Sequence, residues 1–300
     1  MYDRILVPTA GADEPTPATE RAIDLATRCG ASIHAIYVLE SGRIPVQDGS
    51  QFVLNELSGV GQAALQMVAD RARDEGVETV ETVEREGTAH REILSYVEEE
   101  GIDVIVMSTH GRKGLDRYLL GSVTEKVVRA SPVPILSVKQ GEPGLHSFEY
   151  SDVLIPTDGS EGAEVAVDHG IEFAEMVDAA VHGLYVTDVR ATVPNIDDGS
   201  QTMVLDQLKD EGEQAIEYVE RGGQAVGVDV TTAVVRGTPY AQIREYVTEH
   251  DVDFIAMGTH GRTGLQRYLL GSVAEKVVRT ADVPVLTVRL GSETGDEAEE

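Results

Sequence analysis

Three hundred residues with 41% hydrophobic side chains suffice for two ordinary globular domains with real cores. Fifty-three acids against 24 bases leave a formal charge of −29, which argues against duplex nucleic acid and membrane surfaces as partners, since both repel acid. The single cysteine, Cys29, leaves no intrachain disulfide and no thiolate metal cluster, and reads as a structural thiol at a helix end.

Only five of the bases are lysine; the other 19 are arginine. Acid-rich, lysine-poor composition resembles that of salt-adapted cytoplasmic proteins and predicts a halophilic source, where about 1 M salt shortens the Debye length to roughly 3 Å and screens the self-repulsion. An ordinary acidic protein with a solvated surface is the alternative. No run reaches the ~18 apolar residues of a membrane span. The start, Met1-Tyr2-Asp3-Arg4-Ile5, lacks the basic, apolar pattern of a signal peptide, so the expected location is cytoplasmic.

Taken in order, Arg4–Pro8 is a strand and Thr16–Gly30 a helix with Ala22, Leu25, Ala26 and Cys29 on one face. Ser32–Val38 is a second strand. A loop through Ile44-Pro45 and Gly49 leads to a long helix over Gln51–Glu75, with Ser50 as its cap. Val77–Val83 alternates apolar and polar residues as a half-buried edge strand does. Ala89–Glu99 is a helix, Val104–Met107 a buried strand, Ser122–Arg129 a helix and Val133–Val138 a last strand.

The chain is then written a second time, from Asp152 to Val288. Residues 109–129 and 259–279 differ only at Lys113/Thr263, Asp116/Gln266 and Thr124/Ala274. Pro8-Thr9 matches Pro156-Thr157, and Tyr37-Val38 matches Tyr185-Val186. Two copies make two domains and not a solenoid. The expected units are 1–140 and 151–290, joined by a linker at 141–150 containing Gly141-Glu142-Pro143-Gly144 and followed by a disordered acidic tail at 291–300. Strand–helix alternation with short connections predicts an α/β fold, a parallel sheet with helices on both faces.

Within the second copy, Gly258, Gly261 and Gly271-Ser272 are spaced as Gly-x2-Gly-x9-Gly-Ser, after an apolar strand and before a helix. Glycines let the backbone approach a ligand, and free N–H groups at the helix start favour an anion. Ser272 is placed at the N-cap, and no lysine follows the last glycine, so this is not a P-loop. The pattern resembles the ATP-binding signature of the universal stress protein family, and the resemblance covers both copies, nearly the whole chain. It implies two tandem Rossmann-like (adenine nucleotide alpha hydrolase-like) domains, each an open five-stranded parallel sheet in the order 3-2-1-4-5. That order places the turns after the first and fourth strands at the topological switch point, where ligands bind.

The resemblance further implies that Pro156, Thr157 and Asp158 form a turn whose carboxylate bonds the ribose, and that backbone groups at Val186 read the adenine edge. Gly258, Gly261, Gly271 and Ser272 hold the phosphates, with Mg²⁺ bridging phosphate oxygens. Arg262 is a candidate phosphate contact, although an exposed loop arginine is as easily solvated. Read from the residues alone, Asp158 could equally form an Asx turn ahead of a helix. No acid or histidine cluster accompanies His110 or His260 at metal-ligand spacing. In the first copy Ala10 replaces Asp158 and Ser108 replaces Gly258, while Pro8, Thr9, Val38, Gly111, Gly121 and Ser122 remain. The second domain is therefore expected to bind ATP, and the first weakly or not at all.

Three functions compete. The leading one is an ATP-binding, nucleotide-dependent stress-response regulator read by unidentified protein partners, with no catalytic residues and slow hydrolysis at most, because no positioned base or Walker-type lysine is visible. The others are an adenylyl-transferring enzyme of related architecture and a nucleotide-independent interaction scaffold. The apolar last strands Val133–Val138 and Val283–Val288 invite edge pairing. The family habit of joining last strands across a two-fold predicts an intrachain pseudo-dimer, and leaves homodimerisation open.

Overall fold

A computed structural model describes residues 2–43, 50–109, 120–139, 150–188, 198–261 and 270–290, without the side chains of 43, 50, 51 and 198–208. The proposed linker up to residue 149, the tail and the Ile44–Gly49 loop lie outside the described residues. The first copy runs β1 (Arg4–Thr9), α1 (Pro17–Cys29), β2 (Ser32–Leu39), a short 3-10 turn, α2 (Ser50–Asp74), β3 (Val80–Glu86), α3 (Ala89–Glu100), β4 (Val104–Ser108), α4 (Ser122–Ala130) and β5 (Ile135–Val138). The second runs β6 (Asp152–Thr157), α5 (Glu161–Val177), β7 (Ala180–Thr187), α6 (Asp198–Val226), β8 (Val230–Arg236), α7 (Pro239–Glu249), β9 (Phe254–Gly258), α8 (Ser272–Thr280) and β10 (Val285–Val288).

Each copy forms a parallel sheet in the expected 3-2-1-4-5 order, and the two join into one sheet of ten strands, β3-β2-β1-β4-β5-β10-β9-β6-β7-β8. The seam is the single antiparallel pairing among the described residues, β5 against β10, with Leu136 opposite Leu286. Each last strand is thus an edge of its own half but central in the whole, and the intrachain pseudo-dimer forms. Thr287 Oγ1 donates to the Ile135 carbonyl at 3.3 Å, and Lys139 meets Asp282 at 2.6 Å. Behind the sheet, Cys29 Sγ on α1 lies 3.1 Å from Met176 Sδ on α5. Burial pushes the Cys29 thiol up, which suits a structural role.

Strand alternation sends successive side chains to opposite faces. Ile5 and Val7 face α1 and α2, as Val153 and Ile155 face α5 and α6; Leu6 and Leu154 face the layer of α3, α4, α7 and α8. Each copy carries one buried polar link between sheet and helix: His34 Nδ1 with Tyr96 Oη at 2.9 Å, and His182 Nδ1 with Tyr246 Oη at 3.1 Å. Burial lowers the His34 pKa and raises that of Tyr96 to about 12, so both are held neutral.

Several boundaries depart from the sequence reading: the last strands begin at Ile135 and Val285 instead of Val133 and Val283, β3 ends at Glu86 instead of Val83, and two further shifts have a visible cause. The edge strand β3 begins at Val80 and not Val77, because Gly76 leaves α2 in the left-handed region and Val77 N–H still donates to Ala72 at 3.0 Å. The long helix takes in Ser50 as its first residue instead of leaving it outside as a cap. On the second copy's inner face, Phe173 and Phe254 are fully buried and stacked at 3.9 Å, with Tyr150 edge-on to both. Phe254→Ala is expected to cost about 3–5 kcal/mol in urea denaturation, since the cavity would open beneath a seam-side strand.

Candidate functional site

The turns after β6 and β9 lie side by side, because those strands are neighbours at the switch point. Pro156 and Thr157 end β6. Thr157 Oγ1 accepts the Gly159 N–H at 3.1 Å, and Gly159 takes φ +73°, a conformation that glycine adopts without penalty. Asp158 Oδ1 accepts the Ser160 N–H at 3.1 Å and the Ser160 hydroxyl at 2.6 Å. Ser160 Oγ in turn accepts the Ala163 N–H at 3.3 Å and caps α5. The Asx turn is therefore present. The second carboxylate oxygen of Asp158 points at the glycine loop: a Cβ built on Gly261 would overlap Oδ2.

The loop after β9 is pinned to the frame at both ends. Thr259 N–H donates to the Val288 carbonyl at 2.9 Å, and Gly271 N–H to the Thr259 carbonyl at 2.8 Å. The residue capping α8 is Gly271, not Ser272, which is the first helical residue and is exposed. The reason is the Gly271–Thr259 bond, which holds Gly271 in an extended conformation (φ −58°, ψ 141°) just before the helix. A glycine cap has no side-chain acceptor, so the first-turn N–H groups of α8 receive no cap from it. With the helix dipole they are chemically suited to an anion, beside an exposed serine hydroxyl.

The glycines crowd protein rather than open space for a ligand. A Cβ on Gly258 would lie 2.8 Å from the Gly162 carbonyl oxygen in the first turn of α5, and one on Gly271 3.0 Å from the Thr259 carbonyl oxygen. Their absent side chains let a helix turn and a returning loop close on the strand end. Val186 lies one residue past the last pairing of β7 with β6. Arg262 and Gly111 lie outside the described residues. Among the described residues no group of three His, Cys, Asp or Glu side chains converges on a metal position; His260 Nδ1 bonds Thr259 Oγ1 at 2.9 Å instead.

The first copy brings together Pro8, Thr9, Val38, Gly121 and Ser122, again with glycine as the helix cap, but around a different shape. Gly11 takes φ +80° as Gly159 does, yet α1 begins one turn later than α5: Thr16 is its cap, while both helices end at matching left-handed residues, Gly30 and Asp178. Pro17 is the cause. It has no N–H to donate one turn back, and it holds Thr16 extended (ψ 160°). With that turn unwound, a cavity of about 470 Å³ opens between the β1, β2 and β4 ends. Thr16, Glu40 and Leu57 on its wall are residues that sequence reasoning missed. The signal was there in Thr16-Pro17, which the second copy replaces with Glu164-Val165.

A family model described as the universal stress protein family matches residues 1–139 and again 149–289. The chain belongs to the universal stress protein family. A universal stress protein of Methanocaldococcus jannaschii, MJ0531, is 41% identical over 140 residues, covering 47% of this chain and 82% of that protein. MJ0577 of the same organism is 31% identical over 157 residues, covering 48% of this chain and 97% of its own length. A solved universal stress protein from Archaeoglobus fulgidus superposes over 95% of this chain and 98% of its own with a TM-score of 0.69; at 22% identity it shares the fold, two copies included.

The packing gives a direct test. Gly258→Ala is expected to destabilise the chain by about 1–3 kcal/mol in urea denaturation, because its new methyl meets backbone that cannot swing away. The mirror change in the first copy, Ser108→Gly, should cost only about 0.5–1 kcal/mol.

Proposed function

We propose that this universal stress protein binds ATP in its second copy and works as a nucleotide-dependent stress-response regulator, its bound state being read by protein partners. The observation that carries this is the convergence of Asp158 and the glycine-capped start of α8 on one strand-end cleft, with the Asp158 carboxylate against Gly261. Main-chain N–H groups suit phosphate recognition in a chain whose net charge of −29 repels it. The Asp158 carboxylate suits sugar hydroxyls, and the Val186 backbone, past the end of β6, suits a base edge. Mg²⁺ would enter with the phosphates, held by their oxygens. The chain's residues here position and bind, so hydrolysis is slow at most. Acid excess and scarce lysine support a salt-rich cytoplasm as its setting.

Calorimetric titration of Mg²⁺-ATP in high salt tests this. The expected result is one site per chain. Asp158→Asn, which keeps an acceptor for Ser160 but loses the charge, should weaken it about ten- to a hundredfold, the ~1.5–3 kcal/mol of a charged hydrogen bond. Two sites of equal affinity, or an Asp158→Asn variant that binds as the parent does, would overturn the assignment.

A further inference from the structure

The two outer edges of the ten-stranded sheet are built differently. Strand β3, at one end, reads Val80-Glu81-Thr82-Val83-Glu84-Arg85-Glu86 and is mostly charged. Strand β8, at the other, reads Val230-Thr231-Thr232-Ala233-Val234-Val235-Arg236 and carries charge only at its last residue. Thr231, Val234 and Val235 thus stand where β3 has Glu81, Glu84 and Arg85, and Val234 is 39% exposed. A charged edge resists pairing with other chains, whereas an uncharged, β-branched one invites it. We infer that β8 is an interaction edge on which a second molecule of this chain pairs antiparallel, β8 against β8, about a two-fold axis at Ala233.

The ladder inside the sheet fixes which main-chain groups face outward. The Asp229 carbonyl accepts the Val181 N–H at 2.8 Å, and the Gly237 N–H donates to the Thr187 carbonyl at 3.2 Å, both on the β7 side. Alternation then turns the groups of Thr231, Ala233 and Val235 toward β7, and those of Val230, Thr232, Val234 and Arg236 outward. Among the described residues no strand lies beyond β8. Placing Ala233 opposite itself sets Thr232 against Val234 and Val230 against Arg236, so each of the four outward-facing residues meets another. Ala233 then occupies a non-hydrogen-bonded pair, where Cα atoms approach to about 4.5 Å and a small side chain fits.

Charge favours the same register. Glu220 on α6 accepts the Thr232 hydroxyl at 2.8 Å. Arg236 of the other molecule comes to the same face, diagonal to Thr232, a separation that long side chains span. Each molecule therefore brings a cation toward the other's carboxylate, twice across the axis. This self-complementarity is what selects a second molecule of the chain over an unrelated extended segment.

Sedimentation equilibrium of the full chain in about 1 M salt, which screens the like-charge repulsion, tests the inference. The parent is expected to dimerise reversibly. Val234→Glu, which restores the acid of β3, and Val234→Pro, which removes one outward N–H, should each raise the dissociation constant at least about tenfold. Urea denaturation checks that both fold as the parent does. In a Cys29→Ser background, Ala233→Cys is expected to give a disulfide-linked dimer on mild oxidation, because the self-pair falls within disulfide range, while Val83→Cys, its β3 counterpart, does not. A parent still monomeric at about 1 mM, a dimer indifferent to Val234→Glu, or equal cross-linking through positions 83 and 233 would each overturn the inference. The first of these would leave the edge to an extended segment of another protein.

Discussion

The close approach of the Gly162 carbonyl to Gly258 is the constraint from which the two sites diverge. It exists because α5 starts immediately after the Asp158-Gly159-Ser160 turn and lays its first turn across the end of β9. That turn stands beside the glycine loop, with Asp158 against Gly261. In the first copy the same span of chain cannot be helical, because Pro17 withholds the donor the turn needs. Ser108 is then tolerated where its counterpart must be glycine. A single backbone decision, taken at Thr16-Pro17, exchanges a helical turn packed on the strand end for a broad cavity.

What keeps these local differences from disturbing the fold is the seam. Pairing β5 with β10 buries the last strands of both copies at the centre of one sheet, and the ends of those strands anchor both site loops, Thr109 N–H donating to Val138 and Thr259 N–H to Val288. The acidic surface is carried by helices and outer strands, with β3 displaying Glu81 and Glu86 along one outer edge of the sheet. That charge guards an edge against pairing with other chains. The two clefts therefore share a rigid frame and differ only in the loops at the strand ends.

Much of the frame was legible in the sequence, because buried parallel strands such as Val104–Ser108 read as short apolar runs and the repeat doubled every signal. The asymmetry was legible in part: Ala10 and Ser108 marked the first site as altered. Treating the second copy as running like the first hid the extra helical turn of α5, although Pro17 and Val165 record it. The cap of α8 was misassigned because a serine beside a glycine reads as the capping residue, whereas the Gly271–Thr259 backbone bond, a long-range contact, moves the cap back by one. The close approaches at Gly258 and Gly261 were read as room for a ligand; only the packing of α5 and the aim of Asp158 show that protein atoms fill it.

The central claim is that the first helical turn after β1 or β6 decides what the cleft above it binds. It is tested most directly by giving the first copy the second copy's turn: residues 10–17 replaced by the equally long Asp158–Val165 sequence, together with Ser108→Gly. The number of ATP molecules bound per chain is then measured by calorimetry. The account predicts a rise from one to two. A grafted chain that folds as the parent does and still binds one ATP would contradict it.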